Sequence, residues 1–199
     1  MAERPGRQRH HQPAPGGVGL LLVDVINPMD FEGADALRGP AAAAARAIRA
    51  LRDQADALGV PVVYVNDNYG HWGSEKAAIV AACGSASPAG WTLVDLLAPR
   101  PDDFFVIKPQ FSGFYATNLP VLLPHLGVNR VVITGLVADI CVLFTAADAH
   151  MREYGIWVPA DAIASESAER RHWALSIMSR SMAAEIRPAA ELALSDWVG

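Results

Sequence analysis

From residue 18 onward the chain alternates short apolar runs with longer amphipathic stretches. The apolar runs cover 18–25, 61–66, 104–108, 130–135, 155–159 and 183–186. Most are near-continuous and β-branched instead of alternating in polarity, which is the pattern of strands buried on both faces. Between them, 40–58 places Ile48, Leu51, Ala55 and Leu58 on one helical face, with Gly59 where a C-cap belongs. Segment 118–126 ends at Gly127 and segment 141–154 at Gly155, while 166–180 offers Trp173, Leu175, Ile177 and Met178 as its apolar residues. Strands alternating with helices predict a single-domain α/β protein with three αβα layers and a six-stranded, mainly parallel, Rossmann-like sheet. The stretch 69–101 reads as longer and less regular, suited to a pocket rim. No internal repeat, domain linker or glycine-rich phosphate loop interrupts this order, since Gly16-Gly17 precedes the first strand instead of following it.

A length of 199 residues suits one core, and 52% hydrophobic against 19% charged residues supplies the apolar material to fill it. Residues 1–17 differ. They are polar, rich in Arg, His, Pro and Gly, and without the apolar centre of a signal peptide, so they read as a disordered leader ahead of a domain at 18–199. His10 and His11 fall in that tail, where nothing pre-forms a metal site. The net charge of -5 gives no general attraction for phosphate backbones, so no nucleic-acid partner is expected. No stretch reaches the roughly 18–20 continuous apolar residues of a bilayer span, so no membrane partner is expected either. Two cysteines, Cys83 and Cys141, are too few for a disulfide framework; a reduced, cytoplasmic setting with free thiols fits better.

In parallel sheets ligands bind beyond the carboxyl ends of the strands, which directs attention to the residues closing each apolar run. Asp24 closes the first run, Lys108 the third, and Cys141 follows the fourth after a turn. The three types make joint chemical sense. A thiol is a weak nucleophile until it ionises, and an ammonium or a helix N-terminus favours the thiolate. A carboxylate can take the thiol proton and hand it to a leaving amine. Taken singly each residue has a plainer reading: a buried small hydrophobe for Cys141, a turn or cap residue for Asp24, a solvated strand end for Lys108. Cys83, in an Ala- and Ser-rich stretch, reads as structural.

The motifs around these residues resemble those of the isochorismatase-like hydrolases, a family that includes nicotinamidases, carbamoylsarcosine amidases, ureidoacrylate amidases and isochorismatases. The likeness spans 17–188 and is carried by Val131-Val132-Ile133-Thr134-Gly135-Leu136-Val137-Ala138-Asp139-Ile140-Cys141-Val142, by Lys108-Pro109-Gln110-Phe111-Ser112-Gly113-Phe114-Tyr115, and by Val158-Pro159-Ala160-Asp161-Ala162. The resemblance implies a catalytic triad of Asp24, Lys108 and Cys141 on a six-stranded parallel sheet. It further implies a cis peptide between Leu136 and Val137 that turns the Val137 and Cys141 N–H groups toward an oxyanion, and a homo-oligomer, dimer or tetramer.

Departures from the family pattern shape the expected reaction. Nicotinamidases hold a metal through an Asp-x-His pair after the second strand; here Asp67 keeps the Asp, but Tyr69 stands in the place of the His and His71 is the one imidazole nearby. Two ligands make a poor divalent site, so no metal and no other cofactor is expected. Ile26 replaces a common Gln, whereas Asn27 matches a common polar position. A substrate pocket is expected from Asn27, Phe31, Asp67, Trp72, Phe111, Tyr115 and Leu136, with Phe114 a further aromatic candidate. These features predict a cysteine hydrolase that cleaves an amide or ureido C–N bond of a small molecule through a thioester. Two other readings stand beside it: a vinyl-ether hydrolase using Asp24 as acid, and a non-catalytic binding protein on the same scaffold.

Overall fold

The computed structural model describes residues 13–70 and 75–199. Six strands are present: β1 (Val18–Val23), β2 (Val62–Asp67), β3 (Phe104–Lys108), β4 (Arg130–Leu136), β5 (Gly155–Trp157) and β6 (Ile163–Ala164). All their pairings are parallel, in the order β3-β2-β1-β4-β5, with β6 on the far end of β4. Seven helices accompany them among the described residues: α1 (Ala34–Leu58), α2 (Lys76–Ala86), α3 (Pro88–Leu97), α4 (Leu119–His125), α5 (Leu143–Met151), α6 (Ala168–Met182) and α7 (Leu194–Val198).

The two-residue period of a strand sorts the apolar runs onto two faces. Val18, Leu20, Leu22, Val62, Tyr64 and Val132 point into a core under α1, where Ile48, Leu51 and Ala55 meet them. Leu21, Val23, Val63, Val65, Val131 and Ile133 point the other way, against Leu119 and Leu123 of α4, Ala146 and Ala149 of α5, and Met178 of α6. Both faces are dry, which is why β1 is apolar at every position and wholly buried. No helix among the described residues is long and apolar enough to cross a membrane.

Several expectations need correction. The sixth strand is β6, not 183–186. Ala183 sits in the left-handed region at φ 52° and caps α6, so the chain turns there and only Glu185 forms a single bridge to Trp157. β5 stops opposite Val132, which frees the end of β4 at Gly135 and Leu136 to pair with β6. The stretch expected to be irregular holds two helices, the second started by Pro88 and capped by the Ser87 hydroxyl, which accepts from Gly90 N–H. α1 begins at Ala34 and carries Pro40 within it. The folded domain also starts earlier than residue 18: Ala14 N–H donates to Leu126 C=O, and Pro15–Gly17 forms a 3₁₀ turn against the C-terminal residues. His10 and His11 lie outside the described residues.

Candidate active site

Strand order places the site. β1 is flanked by β2 and β4, and the chain leaves these neighbours toward opposite sides, which opens a crevice at their carboxyl ends. Asp24 follows β1 in the left-handed region at φ 50°, while its N–H still reaches Val65 C=O at 3.0 Å. Asp67 and Lys108 are register partners at the ends of β2 and β3. Across the crevice β4 must come close to β1, and Gly135 permits it: a Cβ there would lie 2.0 Å from Val23 O, and its φ is 119°. The next peptide bond, Leu136–Val137, is cis.

Cys141 is not at the N-terminus of α5. It lies in a π-helical turn, Ala138–Val142, that precedes α5 and is closed by Val137 C=O accepting from Ile140 N–H at 3.1 Å and Val142 N–H at 3.3 Å. Turns of this kind recur at functional positions.

The three chemistry-bearing side chains meet. Lys108 Nζ is fully buried and stands 2.9 Å from Asp24 Oδ2, 3.5 Å from Cys141 Sγ and 3.2 Å from Gln110 C=O. Asp67 Oδ2 is farther, at 3.7 Å. Asp24 Oδ1 accepts from Asp67 N–H at 2.8 Å, and the Cys141 thiol lies close enough to lower the Asp24 pKa. Burial raises the Asp24 pKa above its ordinary value, against the opposing pull of Lys108 and the hydrogen bonds from Cys141 and Asp67 N–H. For Lys108 burial would lower the pKa, but Asp24, Cys141 and Asp67 outweigh it and the ammonium is held more firmly. Burial, reinforced by the Asp24 charge and opposed by Lys108, pushes the Cys141 thiol up to about 12. Burial and Asp24 thus favour the protonated thiol over the pre-formed thiolate that Lys108 and a helix N-terminus alone would favour. The adjacent Asp24, its basicity lifted by burial, is placed to accept a proton.

A cavity of about 330 Å³ opens onto this group, lined by Asp24, Asn27, Phe31, Leu37, Asp67, Tyr69, Leu136, Val137, Ile140, Cys141 and Glu166. Of the expected pocket residues, Asn27, Phe31, Asp67 and Leu136 are in its wall. Asn27 Oδ1 accepts Met29 N–H, so the amide NH₂ is what it can offer a ligand. Phe111 and Tyr115 are not brought there. Both are exposed, and Phe111 packs on Phe144 of α5 with ring centroids 5.7 Å apart, because the loop after β3 folds outward over α5. Phe114 is core, against Tyr154. Trp72 and His71 lie outside the described residues. Cys83 is buried, its thiol raised to about 12 by burial, and faces a separate cavity.

Sequence reasoning missed Tyr69 and Glu166 as wall residues. Tyr69 donates its hydroxyl to Ile26 C=O at 2.7 Å, and its N–H donates to Asp67 Oδ1 at 2.7 Å. Glu166 pairs with Arg170 at 2.8 Å, and Arg170 also reaches Asp139 of the π turn at 2.7 Å. The signal for Glu166 was its place just beyond β6, which the misplaced sixth strand concealed. The described residues do not fit a metal centre: Asp67 is engaged by Tyr69 N–H, the Tyr69 hydroxyl points to a carbonyl, and no three His, Cys, Asp or Glu side chains converge among them.

The family model of the isochorismatase domain matches residues 18–191. The chain belongs to the isochorismatase family. The family chain is 40% identical over 167 residues to the isochorismatase family protein YaaI of Bacillus subtilis (strain 168), across 84% of this chain and 91% of that one. It is 32% identical over 188 residues to the ureidoacrylate amidohydrolase RutB of Methylobacterium radiotolerans, across 77% of this chain and 69% of that one. The solved N-carbamoylsarcosine amidase of Thermoplasma acidophilum superposes with a TM-score of 0.63 at 30% identity, covering 88% of this chain and 98% of the other.

Proposed function

We propose that this isochorismatase-family hydrolase cleaves an amide or ureido C–N bond of a small molecule through a Cys141 thioester. The observation that carries the reading is the convergence of Cys141 Sγ, Lys108 Nζ and the Asp24 carboxylate at the floor of one cavity. Names of relatives that act on C–N bonds, the ureidoacrylate amidohydrolase and the carbamoylsarcosine amidase, support it.

Cys141 Sγ attacks the substrate carbonyl as its proton passes to Asp24. The tetrahedral oxyanion is held by the Val137 and Cys141 N–H groups. On collapse of the intermediate, Asp24 returns the proton to the departing nitrogen, and ammonia or an amine leaves. Water then attacks the thioester with Asp24 as base, releasing the acid and restoring the thiol. Lys108 balances charge: it holds Asp24 in place and offsets negative charge on the sulfur during attack. The homo-oligomer, dimer or tetramer, implied by the resemblance is part of the proposal, and the exposed Phe111, Phe144 and Tyr115 suit its contact.

The test is ammonia release from a panel of carboxamides and ureido acids by wild type and Cys141→Ala. Release by wild type and not by the variant is the expected result. Turnover of a vinyl ether that survives Cys141→Ala but not Asp24→Asn would instead favour the acid-catalysed ether reaction, for which an Asp24 of raised pKa is also suited.

A further inference from the structure

Among the described residues, the cavity wall carries three carboxylates, those of Asp24, Asp67 and Glu166, and no Lys, Arg or His side chain. The cations that touch these carboxylates are not themselves among the lining residues. Lys108 is buried beneath Asp24 and Asp67 at 2.9 and 3.7 Å. Arg170 bridges Glu166 at 2.8 Å and Asp139 at 2.7 Å. Four carboxylates against two cations leave an excess of two negative charges, and a proton on Asp24 during turnover still leaves one. Each cation already bridges two carboxylates, so an anionic ligand would have to compete with them for it. A substrate carboxylate would enter beside like charge with no charged donor among the described wall residues, and losing water without a partner is costly for an anion. A neutral amide meets apolar Phe31, Leu37, Leu136 and Ile140, together with the Asn27 NH₂; a cationic one gains the carboxylates as well.

We infer that the cavity takes neutral or cationic amides in preference to carboxylate-bearing ones, and that Glu166 is the specificity-determining residue that sets this preference. The inference rests on the hydrolase reading of the same cavity, but the charge of the cavity can be measured without turnover. Asp24 and Asp67 are tied into the Lys108 cluster, whereas Glu166 stands apart from it at the end of β6. It is the one wall carboxylate that can be neutralised without touching the triad.

The experiment labels Cys141 in a Cys83→Ala background with two methanethiosulfonates, one bearing a trimethylammonium and one a sulfonate. Each rate is divided by the rate with a small free thiol, which removes intrinsic reactivity, and the ratio of the two cancels any change in the thiol itself. The expected cation-to-anion ratio is tenfold or more, falling at least threefold in Glu166→Gln. In parallel, ammonia release is followed from 4-(trimethylammonio)butanamide, its uncharged isostere 5,5-dimethylhexanamide and the monoamide of glutaric acid, the last expected to have the lowest kcat/KM. A labelling ratio at or below one, or one unmoved by Glu166→Gln, overturns the inference even if amides are hydrolysed. The expected labelling ratio with no ammonia from any amide leaves the charge selection standing and counts against the hydrolase reading alone.

Discussion

Replacing Lys108 with Met should test the electrostatic core of the site most directly. The Lys108 side chain is fully buried and 2.9 Å from Asp24, itself only 8% exposed at the side chain. At that separation and an effective dielectric of about 20, the pair interacts by about 6 kcal/mol before desolvation is counted. Removing one partner of a buried pair commonly costs about 3–5 kcal/mol because the other charge stays behind. The penalty has a definite pH dependence. Asp24 already has a raised pKa in the folded protein, and loss of the ammonium raises it further. The folded state then keeps its proton where the unfolded chain has released it, so stability is greatest below the ordinary carboxylate value of 3.8 and declines as pH rises through the folded value. Lys108→Met should therefore be only mildly destabilised near pH 5 and lose about 3–5 kcal/mol near pH 8 in urea unfolding. Adding Asp24→Asn should restore much of the loss at pH 8, since the stranded charge is gone. A loss under about 1 kcal/mol at pH 8, or one equal at both pH values, would falsify this account of the pair.

Other perturbations probe neighbouring links. Alkylation of Cys141 in a Cys83→Ala background should keep accelerating above pH 9 without a plateau, because burial and Asp24 hold the thiol high; Asp24→Asn should shift the profile to lower pH and Lys108→Met to higher. A plateau centred near the free-thiol value of about 8.5 would contradict the resting state described above. Gly135→Ala should lower stability by about 3 kcal/mol or more, read as a drop in Tm, since its Cβ meets the Val23 carbonyl, a backbone atom that cannot move aside. Tyr69→Phe removes the bond to Ile26 C=O and should cost only about 1 kcal/mol, as Asn66 Nδ2 still donates to that carbonyl; a change in KM larger than that in Tm would mark Tyr69 as a substrate contact. Phe144→Glu should reduce the mass seen in sedimentation velocity if the aromatic patch on α5 joins subunits; an unchanged mass removes that face from the assembly.

Much of this molecule is local in origin. Five of the six apolar runs became strands within a few residues of their expected limits, because a strand dry on both faces must be apolar at nearly every position, and that requirement is visible residue by residue. The gathering of Asp24, Lys108 and Cys141 was equally legible: parallel strands send their carboxyl ends to one edge, so three residues distant in sequence share it. What remained hidden depends on neighbours far along the chain. The last strand could not be found at Ile163–Ala164, since two residues carry no periodicity and pair only because β5 stops short. The outward turn of Phe111 and Tyr115 follows from packing on α5, not from their aromatic type. The upward pKa shift of Cys141 inverts the local expectation for the same reason. Adjacent Lys and a helix start argue for a thiolate, but burial and the Asp24 charge, which exist only once the sheet is assembled, act more strongly the other way. Hydrophobic period and strand-end chemistry were thus determined by the sequence itself, whereas cavity walls, charge balance and proton position were decided by the tertiary structure, because solvation and Coulomb energy depend on everything within several ångströms, whatever its place in the chain.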